Sequence, residues 1–293
     1  MVKLAYNANG LRTISVERAI EAVADAGYEG IELSLHPAHL DPFAFGPAEA
    51  APIRKALERT GLTACCLAAG ADNLLGEERF EPSLIHPTAE GRARRVDLVL
   101  RAVRIADELG IPYVNFATGK RKPEVAEEQA RQWLDEGVRQ VLDGPGTAVL
   151  AMEPEPEFFL ESNDGVARLA DALASDRFAL AQDLGHCRVV EEDYLASVER
   201  NLPYTKIIQV EDIKGRVHHH EIPGDGDIDF AGFFSVLGRG GYDGYVSVEL
   251  YNHADRYEHA LRRSREVLTA AIAAAEAAWL TAHQQADPAV LRA

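Results

Sequence analysis

The sequence predicts an α/β protein built as a single-domain (β/α)8 barrel. Eight short apolar runs lie along the chain, and longer segments with helical spacing separate them. The runs lack the polar alternation of half-exposed strands, which is typical of parallel strands covered on both faces. Eight alternations of strand and helix indicate a closed barrel. The chain of 293 residues fits one such unit, which we place at residues 1–280, with residues 281–293 as a C-terminal tail.

The eight predicted strands leave room for a helix or a long loop between each strand and the next. Each is a short run rich in aliphatic, aromatic or small residues. They span residues 2–7, 30–35, 62–68, 113–118, 148–153, 178–183, 206–212 and 245–250.

Capping residues mark several of the predicted helices. One helix follows Ser15 and ends at Gly27, and a second follows Ser162, because serine is a favoured N-cap and glycine a favoured C-terminal stop. A third helix lies within 88–110, and a long closing helix within 254–280. An open doubly wound sheet is the alternative, but the first strand is not followed by the G-x-G-x-x-G dinucleotide fingerprint.

Composition and charge exclude several classes of function. The formal net charge of −17 disfavours binding to a polyanion such as nucleic acid. No run of 18 apolar residues predicts a membrane span, and the N-terminus lacks the pattern of a signal peptide. Cys65, Cys66 and Cys187 form neither a disulfide framework nor a C-x-x-C zinc site. We therefore expect a protein of the reducing cytoplasm.

Polar side chains follow four consecutive predicted strands. Glu153, Asp183, Gln209 and Glu249 each lie in or just after the apolar part of a strand. The active site of such a barrel forms at the carboxyl ends of its strands, so these groups should converge. Three carboxylates alone would repel one another, and a divalent cation removes that objection. An all-oxygen ligand set favours Mg²⁺ or Mn²⁺, with Co²⁺ or Zn²⁺ as alternatives.

Structural roles are the alternative for each of these residues taken singly. Asp183 would cap a following helix, and Gln209 would satisfy a buried backbone group. Glu155 and Glu157 follow proline-rich turns beyond the strand, so we assign them to the surface.

Histidines mark the expected mouth of the barrel. The long loop 213–230 holds Arg216 and three consecutive histidines, 218–220, and long ordered loops tend to be functional. Adjacent side chains cannot all face one ion, so we expect a lid with one inward histidine rather than a zinc site. His36 and His186 are expected at the same mouth, together with Asn7 and Asn115 at the ends of the first and fourth strands.

Four stretches resemble the xylose isomerase-like TIM-barrel superfamily, which includes ketose 3-epimerases, hydroxypyruvate isomerase, inosose dehydratase and apurinic-site endonucleases. They are "AMEPEP", "QDLGH", "IIQVED" with the downstream "PGDGDIDF", and "GYVSVELY". The resemblance implies one divalent ion held by Glu153, Asp183, Gln209 and Glu249. Gln209 stands where the common form has histidine, which resembles the hydroxypyruvate isomerase branch.

The resemblance also implies a metal-dependent sugar isomerase or epimerase that moves a proton next to a carbonyl through an enediolate. Glu153 and Glu249 would exchange the proton, while His186, Arg216, His220 and His36 would bind a small sugar or hydroxy-ketone. A metal-dependent lyase or dehydratase acting on a keto-sugar, a keto-inositol or a C-glycoside is the alternative. An endonuclease-like hydrolase is disfavoured, since the extra ligand pattern H-x-x-D-x-H is absent. Relatives are often dimers or tetramers, which predicts a homo-oligomer.

Overall fold

A computed structural model describes residues 2–70 and 73–286. Its centre is a closed barrel of eight parallel strands in sequential order, and β1 pairs with β8 to close it. This confirms the predicted fold class. The strands are β1 Lys3–Asn7, β2 Gly30–Ser34, β3 Thr63–Ala68, β4 Tyr113–Ala117, β5 Val149–Glu153, β6 Phe178–Asp183, β7 Thr205–Val210 and β8 Tyr245–Val248.

Helices follow the strands around the barrel. They are α1 Val16–Asp25, α2 Pro47–Thr60, α3 Ala89–Leu109, α4 Glu127–Leu142, α5 Asn163–Leu173, α6 Leu184–Val190, α7 Tyr194–Asn201, α8 Phe230–Arg239 and α9 Tyr257–Ala286, with short 3-10 turns at Ala8–Leu11, Leu202–Tyr204 and Tyr251–Arg256.

The predicted helix starts at Ser15 and Ser162 are confirmed. The hydroxyl of Ser15 accepts a hydrogen bond from the backbone N–H of Arg18, and Ser162 accepts one from Gly165. Each contact satisfies an N–H group that has no partner within the helix. α3 likewise lies inside the predicted segment and ends against Gly110, which takes the left-handed conformation (φ 71°) that favours glycine.

β7, β8 and α9 differ from the prediction by two residues or more at an end. β7 stops at Val210 and β8 at Val248, so Glu211 and Glu249 lie just beyond their strands. α9 begins only at Tyr257, after the 3-10 turn, and continues to Ala286. The predicted domain boundary at residue 280 therefore falls inside a helix, while residues 287–293 of the predicted tail lie outside the described residues.

The core forms where the strands meet the helices, because parallel strands bury both of their faces. β2 and β6 are buried along their whole length. All three cysteines are buried and free. Within the described ranges, no helix is long and apolar enough to cross a membrane.

Candidate active site

A cavity of about 350 Å³ opens at the carboxyl ends of the strands. Of the predicted site residues, Glu153, Gln209, Glu249, His186 and His220 line it. The strand geometry explains this convergence, since every parallel strand delivers its last residues to the same end of the barrel.

Two glutamates occupy strand ends on the cavity wall. Glu153 is the last residue of β5, and Glu249 follows β8, where its backbone N–H still donates to the carbonyl of Val210. The Glu249 carboxylate accepts hydrogen bonds from the side-chain amides of Asn9 (2.5 Å) and Asn7 (3.3 Å). The 3-10 turn after β1 thus fixes one oxygen of Glu249.

Asp183 combines a structural role with a free oxygen. Its Oδ1 atom accepts a hydrogen bond of 2.7 Å from the backbone N–H of His186 and so caps α6. Its Oδ2 atom is buried and accepts no hydrogen bond. The helix-cap alternative therefore holds for one oxygen, and the second remains available to a ligand, because a buried carboxylate oxygen without a partner is costly.

Gln209 makes side-chain contacts rather than the backbone contacts of the alternative interpretation. Its Oε1 atom accepts a hydrogen bond of 3.0 Å from the amide of Asn115, and its Nε2 group donates one of 3.2 Å to Glu32. All three side chains are buried. The amide oxygen has a second lone pair that Asn115 does not use.

His186 lies within 4.0 Å of three carboxylates, those of Glu153, Glu155 and Asp183. Its Nδ1 atom lies 3.0 Å from the carbonyl of Pro154 and 3.3 Å from Glu153 Oε1. Its Nε2 atom is buried, has no hydrogen-bond partner, and lies 3.8 Å from Glu155 Oε2. Because a carbonyl only accepts, Nδ1 carries a proton here.

Two of the three consecutive histidines face the cavity. His218 and His220 line it, whereas His219 is exposed and contacts Asn252. The expectation of a single inward histidine is therefore wrong, because His218 and His220 both lie on the cavity side of this loop. The Nδ1 atom of His220 lies 2.9 Å from the carbonyl of Glu249, so the loop is fastened to the end of β8.

Arg216 and His36, which are predicted to bind substrate, do not line the cavity. The exposed Arg216 guanidinium donates to the backbone carbonyls of Arg188 and Glu191. His36 belongs to a tight turn after β2, where its Nδ1 atom accepts from the N–H of Ala38. Both side chains are committed to holding loop backbone.

The two asparagines predicted at the mouth have different positions. Asn115 lines the cavity. Asn7 is fully buried beneath it, where it donates to Glu249 and accepts from Ser34.

Two acidic residues were missed or misassigned. Glu155 was placed on the surface, yet it lines the cavity and faces His186 and His218. Glu211, which follows β7, is completely buried beside Gly185, where any β-carbon would collide with its carboxyl group. The signal for both was present in the sequence, since each lies two residues after a predicted ligand.

The acidic side chains of the site are buried, so their charged forms are disfavoured. Burial, followed by the charges of Glu249 and Glu155, raises the pKa of Glu153 well above its ordinary value. Burial, with Asp183 and Glu32, raises the pKa of Glu249 to about 8. Burial also raises the pKa of Glu211, as does the neighbouring Asp183. Such crowding of carboxyl groups is what a bound cation would relieve.

The histidines respond in opposite directions. Burial lowers the pKa of His220 to about 3 and that of His218 to about 4. Burial also acts to lower the pKa of His186, but the carboxylates of Asp183 and Glu155 outweigh it and the pKa is raised. The cavity therefore offers two neutral imidazoles beside one that is stabilised as a cation.

The donor set fits a divalent metal ion. Glu153 and Asp183 each present a carboxylate oxygen in a cluster with His186 whose polar atoms lie within 4.8 Å of one another. The unpartnered Asp183 Oδ2 and the free lone pair of Gln209 add oxygen donors. Carboxylate and amide oxygens suit hard ions.

Sequence comparison finds curated relatives of low identity. A curated L-ribulose-5-phosphate 3-epimerase from Salmonella paratyphi C is 23% identical over 187 residues, which is 63% of this chain and 66% of the relative. The chain thus spans just under two thirds of that relative's length.

Solved structures share the fold at low sequence identity. A D-psicose 3-epimerase superposes with a TM-score of 0.76 at 15% identity, covering 94% of this chain and 99% of that one. An L-ribulose 3-epimerase gives 0.75 at 18%, covering 96% and 98%. The 3-keto-D-glucoside 4-epimerase of E. coli gives 0.71 at 16%, covering 91% and 100%.

The sequence profile of one family matches most of the chain, from residue 20 to residue 276. The match runs from α1 into α9 and includes every strand from β2 to β8. With the closed barrel and the acidic cavity at its carboxyl end, it leads to one conclusion: this chain belongs to the xylose isomerase-like TIM barrel family.

Proposed function

We propose that this protein is a divalent-metal-dependent epimerase or isomerase of unphosphorylated sugars, which moves a proton at a carbon next to a carbonyl. The observation that carries the proposal is that Glu153 and Glu249 both line one cavity, together with Gln209 and His186. Two acidic groups on one small cavity can serve as the base and the acid of a proton transfer.

Glu153, Asp183, Gln209 and Glu249 would hold the ion, in keeping with their oxygen donors and with the free Oδ2 of Asp183. Mn²⁺ or Mg²⁺ suits that set best. When bound, such an ion acts as a Lewis acid that polarises a carbonyl and stabilises the negative charge developing on substrate oxygens.

The proton is carried by this chain's own carboxylates. One of Glu153 and Glu249 takes the proton from carbon, and the other delivers a proton to the opposite face. Both are buried, so the transfer is sheltered from water. Asn7 and Asn9 hold one oxygen of Glu249 and leave the other to the substrate or the ion.

His186 and His220 are suited to binding the substrate. The contacts of their Nδ1 atoms with the carbonyls of Pro154 and Glu249 fix both rings. The Nε2 atom of each ring can then serve a sugar hydroxyl or carbonyl oxygen.

The charge of the cavity wall favours a neutral substrate. Six glutamates line the cavity but only three arginine or lysine residues do. Lys120 already pairs with Glu157 at 2.5 Å, and the guanidinium of Arg79 lies over the rings of Phe80 and Tyr251. A sugar phosphate would bring two further negative charges into this surrounding, at a Coulombic cost that one divalent ion offsets only in part.

The experiment that tests the proposal is a solvent-exchange screen. The protein is loaded with Mn²⁺ and incubated in D2O with free ketoses, keto-glycosides and the matching sugar phosphates. We expect deuterium to enter an unphosphorylated sugar, with no change of mass other than that of the label. Loss of water or of an aglycone would establish the lyase instead, and exchange confined to phosphates would contradict the neutral substrate.

A further inference from the structure

Glu32 lies beneath the cavity, at a position that the proposed reaction does not use. It belongs to β2, is fully buried, and accepts a hydrogen bond of 3.2 Å from the Nε2 group of Gln209. It is not among the residues that line the cavity. Its charge acts on Glu249, and among the proposed metal ligands the side chain that it contacts by a hydrogen bond is that of Gln209.

We propose that Glu32 is a positioning residue that selects which end of the Gln209 amide faces the metal site. The inference rests on the proposed function, because it assumes that Gln209 is a ligand. It goes further by explaining how a glutamine can serve reliably at that place.

An amide is nearly symmetric in shape but opposite in chemistry at its two ends. The oxygen can bind a cation, whereas the NH2 group can only donate hydrogen bonds. A Gln209 side chain rotated by half a turn would present two N–H groups to the ion and bind nothing. A buried glutamine ligand therefore needs a neighbour that distinguishes its two ends.

Glu32 supplies that distinction because its Oε1 atom accepts a hydrogen bond from the NH2 end of Gln209, whereas the oxygen end has no hydrogen to donate to it. Asn115 supports the same orientation by donating 3.0 Å to Gln209 Oε1. Of the two neighbours Glu32 is the stronger selector, because an asparagine amide could itself rotate to match a rotated Gln209.

The side-chain amide of Gln209 and its neighbour Asn115 are both buried in the barrel. Gln209 is 1% exposed and Asn115 3% exposed, so water cannot replace either contact. Gln209 on β7 pairs in register with Asp183 on β6. The Oε1 atom of Gln209 and the unpartnered Oδ2 atom of Asp183 therefore belong to neighbouring positions of the barrel.

The test measures the Kd for Mn²⁺ in the full chain, first with Glu32→Gln alone and then with the two side chains exchanged. Glu32→Gln replaces the carboxylate by an amide of the same size that no longer distinguishes the ends of Gln209. We expect the Kd for Mn²⁺ to rise about 10- to 100-fold, as for other residues that orient metal ligands. Thermal unfolding checks that the variant is folded.

The double variant Glu32→Gln/Gln209→Glu restores a donor and an acceptor in the reverse arrangement. A carboxylate at position 209 has an oxygen at either end, and the new amide at position 32 can donate to it. Replacing Glu32 by glutamine should therefore weaken Mn²⁺ binding when residue 209 is glutamine and strengthen it when residue 209 is glutamate. A purely structural role for Glu32 would give the same sign in both backgrounds.

The control is Glu78→Gln, which removes a negative charge at the cavity mouth without touching Gln209, since Glu78 pairs with Lys122. It should keep the wild-type Kd within about twofold. If Glu32→Gln does not fold, the comparison of Gln209→Glu with the double variant carries the same prediction. Wild-type affinity in folded Glu32→Gln would overturn the inference alone, and absence of Mn²⁺ binding by the wild-type protein would overturn it together with the proposed function.

Discussion

The imidazole of His186 lies between two carboxylates, with Nδ1 3.3 Å from Glu153 Oε1 and Nε2 3.8 Å from Glu155 Oε2. The backbone carbonyl of Pro154 accepts a hydrogen bond from Nδ1 and holds the ring in this orientation. The buried side chain of His186 thus links Glu153, the last residue of β5, to Glu155.

His186→Ala should weaken substrate binding by about 10- to 100-fold in KM, the equivalent of one hydrogen bond to a charged group. It should also lower the free energy of unfolding by about 1–3 kcal/mol, because the carbonyl of Pro154 loses its buried donor. Steady-state kinetics and urea unfolding check the two effects. His219→Ala is the matched control, since His219 is exposed, and an equal loss in that variant would contradict the assignment.

The two oxygens of Asp183 can be separated by substitution. Asp183→Asn keeps a side-chain acceptor for the N–H of His186, so the free energy of unfolding should stay within about 0.5 kcal/mol of wild type while metal affinity falls. Asp183→Ala removes the cap as well and should cost about 0.5–2 kcal/mol. Calorimetric metal titration and chemical unfolding provide the readouts, and undiminished metal binding by Asp183→Asn would remove Asp183 from the ligand set.

The stability of the metal-free protein should fall as the pH rises from about 6.5 to 8. The pKa of Glu249 is raised to about 8 in the folded state, so the folded state holds a proton that the unfolded chain has already lost, and stability declines through this window by about 1–2 kcal/mol. Glu32, with a pKa raised to about 7, acts in the same direction. His218 and His220 have lowered pKa values, and they contribute the opposite slope only below about pH 6.5.

Thermal unfolding of the metal-free protein across this pH range tests the expectation. Glu249→Gln should flatten the slope, because it replaces the group that releases the proton. A stability that rises between pH 6.5 and 8 would show that the buried carboxyl groups are already ionised in the folded state.

Arg216→Ala should leave kcat/KM within about threefold of wild type, because the guanidinium binds the carbonyls of Arg188 and Glu191 rather than the cavity. Its effect should appear as a small loss of stability in the loop after β7. His220→Ala in the same loop should lower kcat/KM by at least tenfold. Comparable activity losses in the two variants would mean that Arg216 reaches the substrate.

The fold was predictable because each strand carries a complete local signal. β6 reads as an apolar run that ends at Asp183, and the structure places its ends there. Ser15 and Ser162 identified helix starts, since N-cap chemistry is local. The end of β8 was less predictable, because the apolar pattern continues to Leu250 after the ladder of that strand stops at Val248.

The cavity residues were predictable where strand geometry alone determines direction. Glu153 and Gln209 follow that rule. Arg216 and His36 do not, because their loops fold back on their own backbone, and no sequence pattern records that choice. Glu155 was predicted at the surface because it follows a proline-rich turn. In the structure its side chain lines the cavity and faces His186.

The most direct test of the central claim is proton exchange in the Mn²⁺-loaded protein with Glu153→Gln and Glu249→Gln. Each variant is incubated in D2O with the sugar that the wild-type protein labels, and epimer conversion is followed by NMR together with deuterium at the reacting carbon. We expect both variants to lose conversion by at least about 10²-fold while remaining folded, as removal of a general acid or base does. Wild-type conversion and labelling in both variants would contradict the assignment of these two glutamates as the proton carriers.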